Sequence, residues 1–325
     1  MGRHCCACYS WLGDSIPLCT EIDQGKDKYT CKIGMPRKRN TRRRLQRRRT
    51  KRSQRGGNAP KSVVVFTLTN GAGFGSVVGF LMRAYLYAKK EGKEFFVKAD
   101  NWQFGDRWHD HFTSLKEYDP NRQHAKEENY KHASVSGLPQ FSLGEYMNAA
   151  KEVFVPRPEI VERAKAFTDK IGAPYISLYV RRGDKTSGAG REMTAADLPQ
   201  LVKEMGVTDG NVFVMSDDYG VVEEVEKLLP GCKVHTMTPP ENRGLVIHDI
   251  QKYDSEQKKK HADELFTSME VFHGGEKGWA DNRSNLGRFL KLRGGDKVTL
   301  YPTEKSTEKL SADMIVDPPN RSLGS

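Results

Sequence analysis

Cysteine is almost missing from the greater part of this 325-residue chain. Cys5, Cys6, Cys8, Cys19 and Cys31 crowd the start, and only Cys232 follows them. The region after residue 60 therefore cannot hold a disulfide of its own, which fits a reducing compartment. The leader cysteines do not form two CxxC pairs, so the usual paired zinc site is excluded. The first six residues (MGRHCC) partly match an acylation signal but lack Ser or Thr at the sixth position. No apolar run reaches the roughly 18 residues of a transmembrane helix. The first 30 residues lack the apolar core of a secretory signal. Acids are absent from residues 36–55, where twelve Lys and Arg stand. These twelve exceed the chain's formal net charge of +11, leaving −1 for the remainder. A near-neutral body thus carries a very basic arm. Residues 1–60 are expected to form a disordered Cys- and Arg-rich leader. Its charge suits nucleic acid, an acidic membrane or a nuclear import receptor, and equally a solvated tail without a specific partner. It holds no interleaved aromatic residue, which leaves base stacking without support.

What remains is organised by alternation. Residues 56–60 (GGNAP) read as a linker. Residues 62–68 read as a strand, 77–90 as a helix with one apolar face, and 94–98 as a second strand. Residues 101–150 are polar and read as irregular, shaping an acceptor cleft. Further on, helices are expected at 158–170, 195–205, 221–229, 262–269 and 285–293. Strands are expected at 175–180, 211–215, 232–237, 270–273 and 298–301. Strands and helices alternating at this spacing predict parallel sheets with right-handed crossovers. The expected architecture is α/β and GT-B-like, two facing domains with parallel sheets. Residues 61–157 form the N-terminal acceptor-side domain, and 158–325 a Rossmann-like donor-binding domain.

Three motifs carry chemistry. The strand at 175–180 (YISLYV) ends in Arg181, Arg182, Gly183, Asp184 and Lys185. Ligands of open α/β sheets sit beyond the carboxyl ends of such strands. Two guanidinium forks and an ammonium there suit a diphosphate, because Arg grips phosphate oxygens bidentately and Lys adds a point charge. Gly71, Gly73 and Gly75 lie between a strand and a helix. Their spacing is neither G-x-G-x-x-G nor a P-loop, so a tight turn approached closely by a backbone or a ligand is the simpler reading. Asp217 and Asp218 end the strand at 211–215. They can bind Mg²⁺, accept a hydroxyl proton, hold an Arg, or start the next helix. They are adjacent rather than Asp-x-Asp, and with Arg181, Arg182 and Lys185 available no metal is needed. Ser284 opens the helix at 285–293, where free N–H groups suit a phosphate or hydroxyl.

In this order the segments resemble the α1,6-fucosyltransferase family, the core-fucosylating enzymes of animals and the nodulation-factor enzymes of rhizobia. Residues 70–75 (NGAGFG) resemble the family's glycine turn, and Asp100, Asn101 and Trp102, with Trp108 and Phe112, its following NW segment. Residues 179–185 (YVRRGDK) resemble its HxRRxDK signature, and 212–218 (VFVMSDD) its strand ending in paired aspartates. Asp263, Ser268 and Ser284 to Arg288 resemble its last donor segment. The resemblance implies a GDP-fucose donor, a glycan or glycoprotein acceptor, an α1,6 linkage and a metal-independent inverting transfer. It implies that Arg181 clamps the diphosphate with Arg182 in support. Asp184 and Lys185 would flank the fucose and its leaving oxygen. Gly73, Gly75, Asp217, Asp218, Ser284 and Arg288 would line the donor, with Asp263 reading the guanine edge. Glu192, just after the signature, is the first choice for the base that takes the acceptor proton, and Asp217 the second. The chain departs from the family in having Tyr179 where the signature has His. Residues 276–281 read as an insertion, and the animal enzymes' anchor, stem and SH3-like domain find no counterpart. The resemblance implies a Golgi site, while the lack of a readable signal or anchor fits the cytoplasm as well. A competing expectation is an inactive relative that binds nucleic acid or a partner through its basic arm. A nicotinamide dehydrogenase is disfavoured by the glycine spacing.

Overall fold

The computed structural model describes residues 61–69, 73–131, 134–182, 197–244 and 250–301. Residues 1–60 lie outside these, as do Gly71, Asp184, Lys185 and Glu192, so the structure does not bear on the expectations for them.

The first described element is a strand for a plain reason. In β1 (Ser62–Leu68, SVVVFTL) β-branched and aromatic residues are buried on both faces, as a central parallel strand requires. Helix α1 (Phe74–Lys90) follows, with Lys89 and Lys90 in its last turn where the helix dipole favours cations. Then come β2 (Glu94–Ala99), the short β3 (Lys116–Glu117) and β4 (Lys126–Tyr130). These four pair in parallel in the order β3-β2-β1-β4. Helix α2 (Leu143–Val153) starts at a capping box, Ser142 with Glu145. Helix α3 (Pro158–Ile171) starts with Pro at its first position.

The second sheet contains β5 (Tyr175–Val180), β6 (Gly210–Ser216), β7 (Cys232–Thr236), β8 (Lys277–Asp281) and β9 (Val298–Tyr301). Its helices are α4 (Asp197–Met205), α5 (Tyr219–Leu228), α6 (Ser255–Gly274) and α7 (Asn285–Gly294). All of its pairs are parallel, in the order β7-β6-β5-β8-β9. Counted from β5, this is the 3-2-1-4-5 order of a Rossmann-like sheet, and the order reverses between β5 and β8. The expected α/β, GT-B-like architecture with a Rossmann-like C-terminal sheet is therefore present.

The described residues all belong to one compact unit. An aromatic core joins the two sheets. Phe74 and Phe112 each lie 4.8 Å from Phe266, and Phe154 lies 4.7 Å from Phe289. Trp102, Trp108 and Phe112, quoted above as a family segment, are buried in this core.

Three expectations need correction. Residues 270–273 are not a strand; they end helix α6. Its buried residues Ala262, Phe266, Met269 and Phe272 repeat at helical spacing, and a capping box at Asp254 and Gln257 starts it. An isolated Val-Phe pair cannot reveal which period it belongs to. Residues 276–281, read as an insertion before Ser284, are mostly strand β8, which lies between β5 and β9. Its sequence, KGWAD, has no β-branched residue, and pairing on both sides makes the strand. Residues 101–150 are not irregular throughout, because β3, β4 and α2 fall there. β4 (KEENY) is an edge strand with Lys126 and Glu127 exposed and Glu128 paired with Lys93, a charged sequence that hides it from a search for apolar runs.

Candidate functional site

The two arginines that follow β5 go separate ways, and strand alternation explains why. Leu178 and Val180 belong to the core with α4 and α5, whereas Tyr175 and Tyr179 belong to the opposite core with α6 and α7. Arg182 continues the first set. Its fork grips Glu224 of α5 at 2.6 and 2.7 Å, and its amide donates to Asp217 Oδ1 at 2.8 Å. That hydrogen-bonded pairing raises the Arg182 guanidinium above its ordinary value and lowers Glu224 below the usual carboxylate range. Arg181 continues the second set. Its Nε lies 3.9 Å from Asp217 Oδ2, with the side chain 17% exposed. One arginine thus anchors the strand end to the helix behind it. The other stands at the carboxyl end of β5, with the Asp217 carboxylate 3.9 Å from its Nε.

Across the order reversal, the turn from β8 into α7 is densely bonded. Asp281, buried, accepts from the Arg283 amide at 3.0 Å and Nε at 3.2 Å, and Arg283 Nη1 reaches Asp197 Oδ2 at 3.0 Å. Burial raises the Asp281 carboxyl, and the Arg283 charge works against that shift. Ser284 stands at the N-cap of α7 without making a side-chain cap bond; its Oγ lies 3.0 Å from Tyr179 Oη. Tyr179 is wholly buried, which pushes its phenol well above the ordinary range.

The first turn of α7 also touches the first turn of α1. Asn285 Nδ2 donates to Ser76 Oγ at 2.7 Å. A side chain at Gly75 would collide with the backbone of Asn285 and Leu286, so only glycine allows this approach. Gly287 is required in the same way, because a Cβ there would strike the Asp281 carbonyl. The backbone-approach reading of the glycine turn therefore holds at Gly75. Gly73 caps α1, and neither helix has an acid in its first turn or a side-chain cap bond. Two helix N-termini with amide groups unbonded by side chains lie together, an arrangement that attracts anions.

The remaining residues are placed as follows. Asp218 is the N-cap of α5 and accepts from the Gly220 amide at 2.8 Å. Arg288 Nε donates to the Asn282 carbonyl at 2.8 Å. Ser268 Oγ lies 3.6 Å from Met237 Sδ. Asp263 on α6 accepts from His111 Nδ1 at 2.9 Å and pairs with Arg163 at 3.1 Å. Burial would raise its carboxyl, but the His111 bond and the Arg163 charge hold it below the usual range. The structure therefore joins Arg181, Arg182, Asp217, Ser284 and Gly75 through β5, Tyr179 and α7, while Asp263 is bonded into a separate cluster. Among the described residues, no group of three or more His, Cys, Asp or Glu is arranged to hold a metal ion. None of the described helices is long and apolar enough to cross a membrane.

A parallel sheet with an order reversal, a cation at the reversal and a helix N-terminus beside it is a frame to compare with known proteins. No protein-family model matches the chain, and no curated protein matches it in sequence. Solved structures do match. A mutant of Arabidopsis thaliana FUT1 in complex with GDP aligns over 79% of this chain and 74% of its own, at 12% identity and a TM-score of 0.50. The fold is shared. Fucosyltransferase NodZ from Bradyrhizobium aligns at 14% identity and a TM-score of 0.45, over 72% of this chain and 92% of its own. POFUT1 in complex with GDP-fucose aligns at 12% and 0.46, over 76% and 99%.

Sequence reading missed the Tyr179–Ser284 bond, the Asn285–Ser76 link and the Arg283 bridge from Asp281 to Asp197. Each joins residues far apart in the chain or inside a strand that has no apolar run. Only the Asp-x-Arg-Ser order at residues 281–284 hinted at a capped turn.

Proposed function

We propose that this chain is a glycosyltransferase that moves fucose from GDP-fucose to a hydroxyl of a glycan or glycoprotein, without a metal and with inversion. The linkage we propose is α1,6. The observation that carries the reading is Arg181, paired at 3.9 Å with Asp217 at the carboxyl end of β5 where the sheet order reverses. Support comes from the neighbouring N-termini of α1 and α7 and from the fold shared with a protein whose structure holds GDP.

The chemistry follows from charge. As the acceptor hydroxyl attacks the anomeric carbon, the bond to the β-phosphate lengthens and negative charge grows on the leaving diphosphate. The Arg181 guanidinium, the Ser284 hydroxyl and the first-turn amides of α7 are fixed before the reaction and stabilise that charge. Lys185 adds a further cation and Asp184 a contact to the sugar in this reading. Arg182, spent on Glu224, keeps the strand end rigid. Asp217 already serves the Arg182 amide and pairs with Arg181, so Glu192 is the better base for the acceptor proton. Asp263 reads the guanine edge while still holding His111 and Arg163. Residues 158–325 bind the donor and 61–157 present the acceptor.

The test is a donor hydrolysis screen over GDP-, UDP- and CMP-sugars with EDTA present. Consumption of GDP-fucose that EDTA does not slow and Arg181→Ala removes is the expected result. Protein indifferent to guanine nucleotides would overturn the reading.

A further inference from the structure

Three other helix caps among the described residues, each a Ser or Asp, follow the ordinary rule. Ser142 accepts from the Glu145 amide at 3.3 Å, Asp254 from Gln257 at 2.8 Å, and Asp218 from Gly220 at 2.8 Å. A capping Ser, Asp or Asn normally uses its oxygen this way, because the first amides of a helix otherwise lack an acceptor. Ser284 has the extended backbone of a cap, with φ −94 and ψ 132, yet makes no such bond. Its hydroxyl is engaged by Tyr179 Oη at 3.0 Å, from the neighbouring strand.

We propose that Tyr179 is a positioning residue for the phosphate-binding turn: its hydroxyl holds Ser284 Oγ away from α7, leaving the Ser284 proton and the first-turn amides for a phosphate oxygen. This rests on the donor reading above and deepens it. Either hydroxyl can donate across this 3.0 Å contact, and in the proposed arrangement the phenol, the stronger donor, is the one that does. With Tyr179 Oη donating and Ser284 Oγ accepting, the serine's own proton stays available to a ligand. The fold fixes the pair on both sides. Tyr179 lies in register with Ala280 of β8 and Met215 of β6. The Ser284 amide is held by the Asp281 carbonyl at 3.2 Å. Arg181, two residues after Tyr179, falls on the same side of the strand. Guanidinium, hydroxyl and helix amides are thus set around one anion, and the tyrosine decides whether the hydroxyl faces it.

The experiment is calorimetric titration of GDP into the full chain and into Tyr179→Phe, Ser284→Ala, the double variant and Arg181→Ala. Tyr179→Phe keeps the buried ring and removes only the hydroxyl. It is expected to weaken GDP about tenfold, the scale of one hydrogen bond to a charged group, without moving the thermal midpoint by more than a few degrees. Because both residues act through one contact, the double variant should bind no more weakly than the weaker single variant. Additive losses would overturn the proposal. So would wild-type affinity in Tyr179→Phe alongside a loss in Arg181→Ala, an outcome that leaves the donor site standing. Wild-type protein that binds no GDP would instead end the donor reading, and this inference with it. If Ser284→Ala does not fold, the comparison of Tyr179→Phe with Arg181→Ala still decides.

Discussion

At the carboxyl end of β5 stand Arg181, Arg182 and Asp217, and beside them the tightly bonded turn from Asp281 to Ser284. Beyond the carboxyl end of β2, in a sheet of the same parallel kind, the chain instead sends Trp102, Phe104 and Trp108 into the interior. Two sheets built by the same rule therefore end differently. One exit is polar and held by ion pairs, and the other is sealed by rings, of which Phe104 reaches Phe266 of α6. Charged and hydrogen-bonding groups gather at the first exit. Phe289 of α7 packs instead on Phe74 of α1 and on Phe154, beside the close approach of Gly75 to Leu286.

Four changes test this division. Phe266→Ala opens a cavity where rings from both halves meet, and should cost about 3–5 kcal/mol of stability. Chemical denaturation should still show one transition; early loss of one sheet would mean that the core does not join them. Gly75→Ala forces α1 away from α7, and should cost about 2–3 kcal/mol and weaken GDP binding at the same time. Loss of stability with GDP affinity intact would separate the helix contact from the site. Asp263→Asn should cost about 1–2 kcal/mol near neutral pH. The folded Asp263 carboxyl titrates below its unfolded value. Its contribution is therefore complete above about pH 4 and lost as pH falls through the folded value. In the variant the acid limb of the stability profile should flatten, and an unchanged limb would contradict the His111 and Arg163 pairing. Glu224→Gln should have the smallest effect on stability, about 1 kcal/mol or less, because Glu224 is over a third exposed and screened by solvent. It should still loosen Arg182 and weaken GDP measurably. No change in GDP affinity would show that the anchor behind the strand end does not shape the site.

The same contrast explains what could be read in advance. The central strands of both sheets were legible because buried parallel strands are continuous apolar runs, as in 62–68, 175–180 and 211–215, and in the Rossmann-like half Asp217, Asp218 and Ser284 also mark strand ends and helix starts. The arginines after β5 were legible as a pair but not as two roles; alternation assigns each only once the partners on either face are known. β8 was hidden because KGWAD becomes a strand through its neighbours, and β4 because its charges suit an edge. The bond from Tyr179 to Ser284 spans a crossover, and no spacing rule reaches that far. His111 with Asp263 is hidden for the same reason.

The most direct test of the central claim is calorimetric titration of GDP, with EDTA present, into the wild-type chain and into Arg181→Ala. A saturable wild-type isotherm is expected, weakened by roughly a hundredfold or more when the guanidinium is removed, the scale of a lost bidentate phosphate grip. Equal isotherms, or none in either protein, would contradict the assignment of the β5 exit as a diphosphate site.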